Sequence, residues 1–126
     1  MKKTELDNCP KWLLEASTED EDVTIDGSIV NWHDGIWHDG AWRCGVWNRG
    51  TVRGVSVSMI GTFTFCDGYH KTLFSVYGVA WILAGCRWFT LADAKKHWGG
   101  RKDRVFTRAS LHSAVALAKH FGLKEE

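Results

Sequence analysis

Between residues 32 and 50 the chain repeats a five-residue unit four times: Trp32-His-Asp-Gly35, Trp37-His-Asp-Gly40, Trp42-Arg-Cys-Gly45 and Trp47-Asn-Arg-Gly50. Such periodicity constrains a fold strongly, because each copy must find an equivalent environment. Five is odd, so on a flat strand successive Trp rings would point to opposite faces. On an α-helix a five-residue step turns the side chain by about 140°, scattering the rings around the axis. A chain that turns a corner at each Gly gives all the rings one setting. Gly takes the positive φ such corners need, and Asp-Gly is a favoured turn dipeptide. Four corners predict about one coil of a square β-solenoid with one Trp on each side.

A single coil needs its open ends covered. Val23, Ile25, Ile29 and Val30 upstream, and Val52, Val55, Val57, Met59, Phe63 and Phe65 downstream, have the alternation of half-buried strands. Neighbours on a short strand face opposite ways, so Ile36 and Trp37 cannot both point inward. The hydrophobic payload of indole favours rings in the core. The number of equivalent indoles favours the other arrangement, with Ile36, Ala41 and Val46 inside. Trp32, His33, Trp37, His38, Trp42, Arg43, Trp47 and Arg49 then form an outward ligand-binding face, and this face is the first candidate site.

Beyond the repeat, turn signals at Asp67-Gly68 and Gly78 separate strand-like stretches through Ala84. Thr90 and Asp93 are spaced as a helix cap for residues 91–98, which Gly99-Gly100 ends. Leu111, Ala114, Val115, Ala118 and Phe121 predict an apolar stripe on a second helix over 108–121, closed by Gly122. The expected fold class is α+β: a short β-solenoid-like repeat segment, antiparallel strands and two C-terminal helices. At 126 residues this is one domain. Its parts are an N-terminal segment with an acidic loop (1–22), a repeat segment (23–65), hairpin strands (66–89) and a helical tail (90–126).

The net charge of +1 excludes a function carried by bulk electrostatics, but it hides an asymmetry. Residues 1–30 hold three basic and eight acidic side chains, and Glu19-Asp20-Glu21-Asp22 reads as a solvated loop. Arg87, Lys95, Lys96, Arg101, Lys102, Arg104 and Arg108 face only two acids, Asp93 and Asp103, over their span. This basic tail is a second candidate site, for a protein or nucleic-acid partner, because Arg forks onto carboxylates and phosphates. A nucleotide would prefer the Trp face, where rings can stack on bases.

Catalytic signals are weak. The His-Asp pairs at 33–34 and 38–39 drift to Arg-Cys and Asn-Arg in later copies, which fits turn chemistry better than metal ligation. The four Cys (9, 44, 66, 86) lack C-x-x-C spacing and a companion His motif, and no phosphate loop or nucleophile elbow is present. The expectation is a non-enzymatic binder with no metal or cofactor. No apolar run suggests a signal peptide or a membrane span, so a cytoplasmic protein with reduced thiols is expected.

The five-residue Trp-x-x-Gly run, entered through Cys9-Pro-Lys-Trp-Leu13 and the acidic stretch, resembles small uncharacterised accessory proteins of tailed phages and prophages. The tail Ala84-Gly-Cys-Arg-Trp-Phe-Thr90, with Ala92, Ala94, His97 and Trp98, is similar to a segment found in other phage accessory proteins. The resemblance implies a context, the bacterial host cytoplasm, and a role: binding and blocking a host defence component, either a protein or a nucleotide signal. Two alternatives remain: a module for nucleotides or single-stranded nucleic acid, or a structural phage protein. Self-association is compatible with each.

Overall fold

A computed structural model describes residues 1–63, 70–84, 87–99 and 105–125, with the backbone alone for 105–107. A short helix α1 (Lys11–Glu15) leads into a long hairpin of β1 (Ser17–Asp26) and β2 (Ile29–Asp39). β3 (Val46–Trp47), β4 (Thr51–Val52) and β5 (Val55–Ser56) complete this first sheet. The second sheet is antiparallel in the order β6 (Ser58–Phe63), β7 (Lys71–Val76), β8 (Val79–Ala84), β9 (Arg87–Thr90). Helices α2 (Leu91–Trp98) and α3 (Val105–His120) follow. The α+β class with two C-terminal helices is as the sequence predicts.

The acidic stretch is not a loop. Glu19–Asp22 lies within β1, an edge strand whose partners shift register between Glu19 and Val23, with Asp20 at φ 53. Charge and irregularity on an edge deter pairing with other chains, so the acids suit this strand.

The glycines behave as the period requires. Gly35, Gly40, Gly45 and Gly50 take φ of 131, 115, 122 and 143. Gly35 lies within β2, and register irregularities against β1 flank it. The ordinary alternation is broken there, and Trp32 and Trp37 are both buried and in ring contact despite their odd spacing.

β2 pairs in parallel with β3 through Asn31–Val46 and Trp32–Trp47, and with β4 through Ile36–Thr51 and Trp37–Val52, an offset of fifteen residues each time. Fifteen residues are three repeat units, so the chain returns onto itself after three units, not the four of a square coil. The rings fit this count. Trp32, Trp37 and Trp42 touch one another edge to face, with centroids 5.6, 5.7 and 6.4 Å apart, and Trp47 stacks on Trp32 at 5.2 Å and 8°. Val52 and Val57 extend the same phase and are buried.

Both ends of the ring cluster are covered. Trp12 packs on Trp37 and Trp42 at one end, and Phe74 of β7 meets Trp47 at the other. The central strands of the second sheet, β7 and β8, are buried on both faces, as strand alternation allows. Phe74, Val76 and Leu83 face the Trp cluster, while Leu73, Ala80, Ile82 and Ala84 face α2 and α3. Thr90 caps α2 by accepting the Asp93 N–H at 3.3 Å, as its spacing predicts. α3 starts earlier than the stripe suggests and ends at His120, before Gly122 at φ +67. Phe121 lies outside the stripe and is exposed.

Candidate functional site

The outward-ring arrangement does not form. Trp32 and Trp37 are 0% exposed, Trp42 1% and Trp47 9%, so none offers a face to a base. Of the residues that arrangement would place inside, Val46 is exposed and Ile36 and Ala41 are half-buried. The physical reason is area: four indoles removed from water contribute more than the small residues at 36, 41 and 46 could. The Trp37 N–H donates to the Gly40 carbonyl at 3.2 Å, whereas the Trp32 and Trp47 N–H groups are buried without a partner among the described residues.

The polar half of the predicted face does come together, as a ladder whose rungs are again fifteen residues apart. His33 lies between Thr24 (2.7 Å) and Asn48 (3.5 Å). Asp34 accepts the Gly35 N–H at 2.9 Å and pairs with Arg49 at 2.8 Å. Arg53 donates to the His38 carbonyl, and the His38 ring meets Glu19 at 3.2 Å. The Gly35 N–H and then Arg49 hold the Asp34 carboxyl below the usual carboxylate range. Arg43 stands apart on the next side of the turn. It is exposed, forms no ion pair or hydrogen bond with the described residues, and lines a cavity of about 640 Å³ with Cys44, Trp47 and Met59–Thr62.

The basic tail is only partly a cluster. Lys95 is tied to Glu125 at 2.9 Å. Arg87 and Lys96 are exposed, and Arg108 is half-buried on α3. Arg101, Lys102 and Arg104 lie outside the described residues. The acids of β1 pair near the N-terminus: Asp22 with the Met1 amino group, which lowers its carboxyl pKa, and Glu21 with the Lys3 N–H and Thr18.

Of the four cysteines, Cys9 is half-buried with its thiol pKa pushed up by burial, and Cys44 is exposed. Cys66 and Cys86 lie outside the described residues. No group of three His, Cys, Asp or Glu side chains within metal-binding reach occurs among the described residues. Sequence reasoning passed over Lys71, which is 1% exposed on β7 and has interactions of its own. A Lys within a strand carries no sequence mark of burial. None of the described helices is long and apolar enough to cross a membrane. No protein-family model matches the chain, and no curated protein and no solved structure matches it.

Proposed function

We propose that this chain is a non-enzymatic accessory protein of the phage type, acting in the bacterial host cytoplasm by binding and blocking a protein component of a defence system. Its framework is a short three-sided β-solenoid, held between α1 and the second sheet, rather than the square coil of the sequence reading. The observation that carries the choice of partner is the burial of the repeat rings. A nucleotide signal or single strand needs an open aromatic face, and Trp32, Trp37 and Trp42 have none. Arg43, Arg87 and Lys96 stand outward with no ion-pair partner among the described residues. Such charge steers association with an acidic protein surface and tolerates no like-charged one.

The test is plating of a restricted phage on defence-bearing hosts that express the chain. Expression should raise plating on at least one host, and Arg87→Glu with Lys96→Glu should remove the effect while the circular dichroism spectrum stays unchanged. Full protection by the charge-reversed chain would move the site away from the tail. Unchanged restriction on every host would remove the reading itself.

A further inference from the structure

We infer that the tip of the β7–β8 hairpin carries a site for a neutral saccharide, with Tyr77 as its platform. Tyr77 and Gly78 form the two-residue turn between the paired residues Val76 and Val79, at φ 50 and 81. This turn prefers Asn-Gly, and a bulky residue at positive φ is an outlier. Tyr77 is also 85% exposed.

A second turn of the same kind shows what is unusual. Arg53-Gly54 takes φ 52 and 82, but Arg53 uses its side chain within the fold, donating to the His38 carbonyl at 3.0 Å. The Tyr77 side chain has no partner among the described residues. Its strain is therefore not offset by an internal contact, and strain held at an outward side chain points to a use outside the chain. The mount is stiff: Lys124 donates to the Gly78 carbonyl at 2.9 Å and accepts the Ala80 N–H at 2.6 Å.

The ground beside the ring names the ligand. Ser58 and Ser75 are direct cross-strand partners, Ser56 precedes Ser58 by two residues and Tyr77 follows Ser75 by two. Cross-strand partners share a face, while Ser56 ends β5 and Tyr77 opens the hairpin turn after β7. These four hydroxyl-bearing residues line one groove of about 240 Å³, with Val57 and Gly78 the other described lining residues. The groove lining bears no charge, although a quarter of the chain is charged. The Ser56, Ser58 and Ser75 hydroxyls have no hydrogen-bond partner among the described residues. Hydroxyls donate and accept, as sugar hydroxyls do, and a phenol ring offers an apolar face with a polar tip to a pyranose. None of the described residues that line the groove is a cation for a nucleotide or acidic peptide, and Lys124 meets the hairpin through its backbone.

The test is amide NMR of the whole chain titrated to millimolar levels with hexasaccharides of α-1,4-glucose, β-1,4-glucose, N-acetylglucosamine and mannose. At least one should shift the amides of Ser56–Ser58 and Ser75–Gly78 and leave the repeat amides in place. Tyr77→Asn should relax the turn, keep or raise the Tm, and weaken binding by about tenfold or more, as loss of an aromatic anchor does. Ser58→Ala with Ser75→Ala should weaken it less. If no hexasaccharide shifts these amides, or if the Tyr77→Asn chain binds as tightly as the parent or melts clearly lower, the inference is overturned.

Discussion

The repeat half and the sheet-and-helix half of this molecule both use glycine at positive φ, yet for different reasons. In the hairpin turn and at the end of α3, a Cβ added to Gly78 or Gly122 would meet nothing within 4 Å. There glycine answers to the backbone angle alone. In the repeat, a Cβ at Gly45 would lie 2.5 Å from the Val30 carbonyl oxygen, and one at Gly50 2.6 Å from that of Gly35. Each of these contacts joins residues fifteen apart. In the repeat, glycine is needed both for the angle and for the close approach of one turn of chain to the next. A five-residue period can therefore be rigid in length while the other half tolerates local change.

Insertions break that comparison most severely. Duplicating Ile36–Gly40 adds one unit and moves each later Trp off its fifteen-residue partner, so cooperative unfolding should be lost. Duplicating Ile36–Gly50 adds three units, a whole turn, and the two caps can move apart by about one strand spacing of 4.8 Å. That chain should melt cooperatively, with the intact ratio of strand to helix in its circular dichroism. Equal tolerance of both insertions would refute the three-unit turn. A five-residue insertion at the β7–β8 hairpin tip should be mild, since it adds to an open loop.

Point substitution sharpens the same contrast. Gly50→Ala combines strain with backbone overlap and should cost roughly 2–5 kcal/mol in denaturant melts. Gly40→Val, where the added Cβ would lie 3.0 Å from the Ala16 side chain, should cost about 1–3 kcal/mol from strain, plus what Ala16 cannot yield. Gly78→Ala meets open space and should cost about 1–2 kcal/mol. If Gly50→Ala proved no worse than Gly78→Ala, the close approach between turns would be immaterial.

The two halves also differ in how far they could be read from sequence. In the second half the local rules sufficed. Thr90, Gly78 and Gly122 each mark a boundary through their own backbone chemistry, and α2 lies where its cap places it. In the repeat, the period and its glycines were legible, but the number of units per turn was not. That number depends on three indoles closing edge to face around one point, a packing outcome rather than a local preference. The inward direction of the rings was legible only as one of two arrangements. The hydrophobic payload of indole favoured it, but strand alternation with an odd period did not, and the alternation is broken beside Gly35. One signal could have been followed further: the inward phase 32, 37, 42, 47 continues to Val52 and Val57. Of the candidate site, the ladder of His33, Asp34, Asn48 and Arg49 needs the fifteen-residue return to become visible. The basic tail was visible as composition, but not the pairing of Lys95 with Glu125.

A smaller effect is expected from a cap in the second half. Thr90→Ala removes the acceptor for the Asp93 N–H and should cost about 1 kcal/mol, with Thr90→Ser retaining most of it. The loss should be confined to α2, seen as faster amide exchange in its first turn. Exchange spreading into the repeat would mean that the two halves unfold as one unit and that the contrast between them is only geometric.

The weakest expected effect, and the finest test of how turns of the repeat are matched, is electrostatic. Asp34 and Asp39 occupy equivalent positions, and each accepts the N–H of the following Gly, at 2.9 and 2.8 Å. Only Asp34 also receives an Arg from fifteen residues on, and its carboxyl is held low by the Gly35 N–H and Arg49. A carboxyl whose folded pKa is depressed contributes stability above its unfolded pKa and loses it as the pH falls through the folded pKa. Asp34→Asn should therefore lower stability slightly at neutral pH, and the difference from the parent should shrink below about pH 4, where the unfolded chain begins to take up the proton. The exposed pair is screened by water and salt, so the difference should also shrink in high salt. Asp39→Asn, lacking the cross-turn partner, should show the smaller change in both series. If the two substitutions behave alike, the ladder between turns adds nothing to the repeat, and its cohesion rests on indole packing and glycine contact alone.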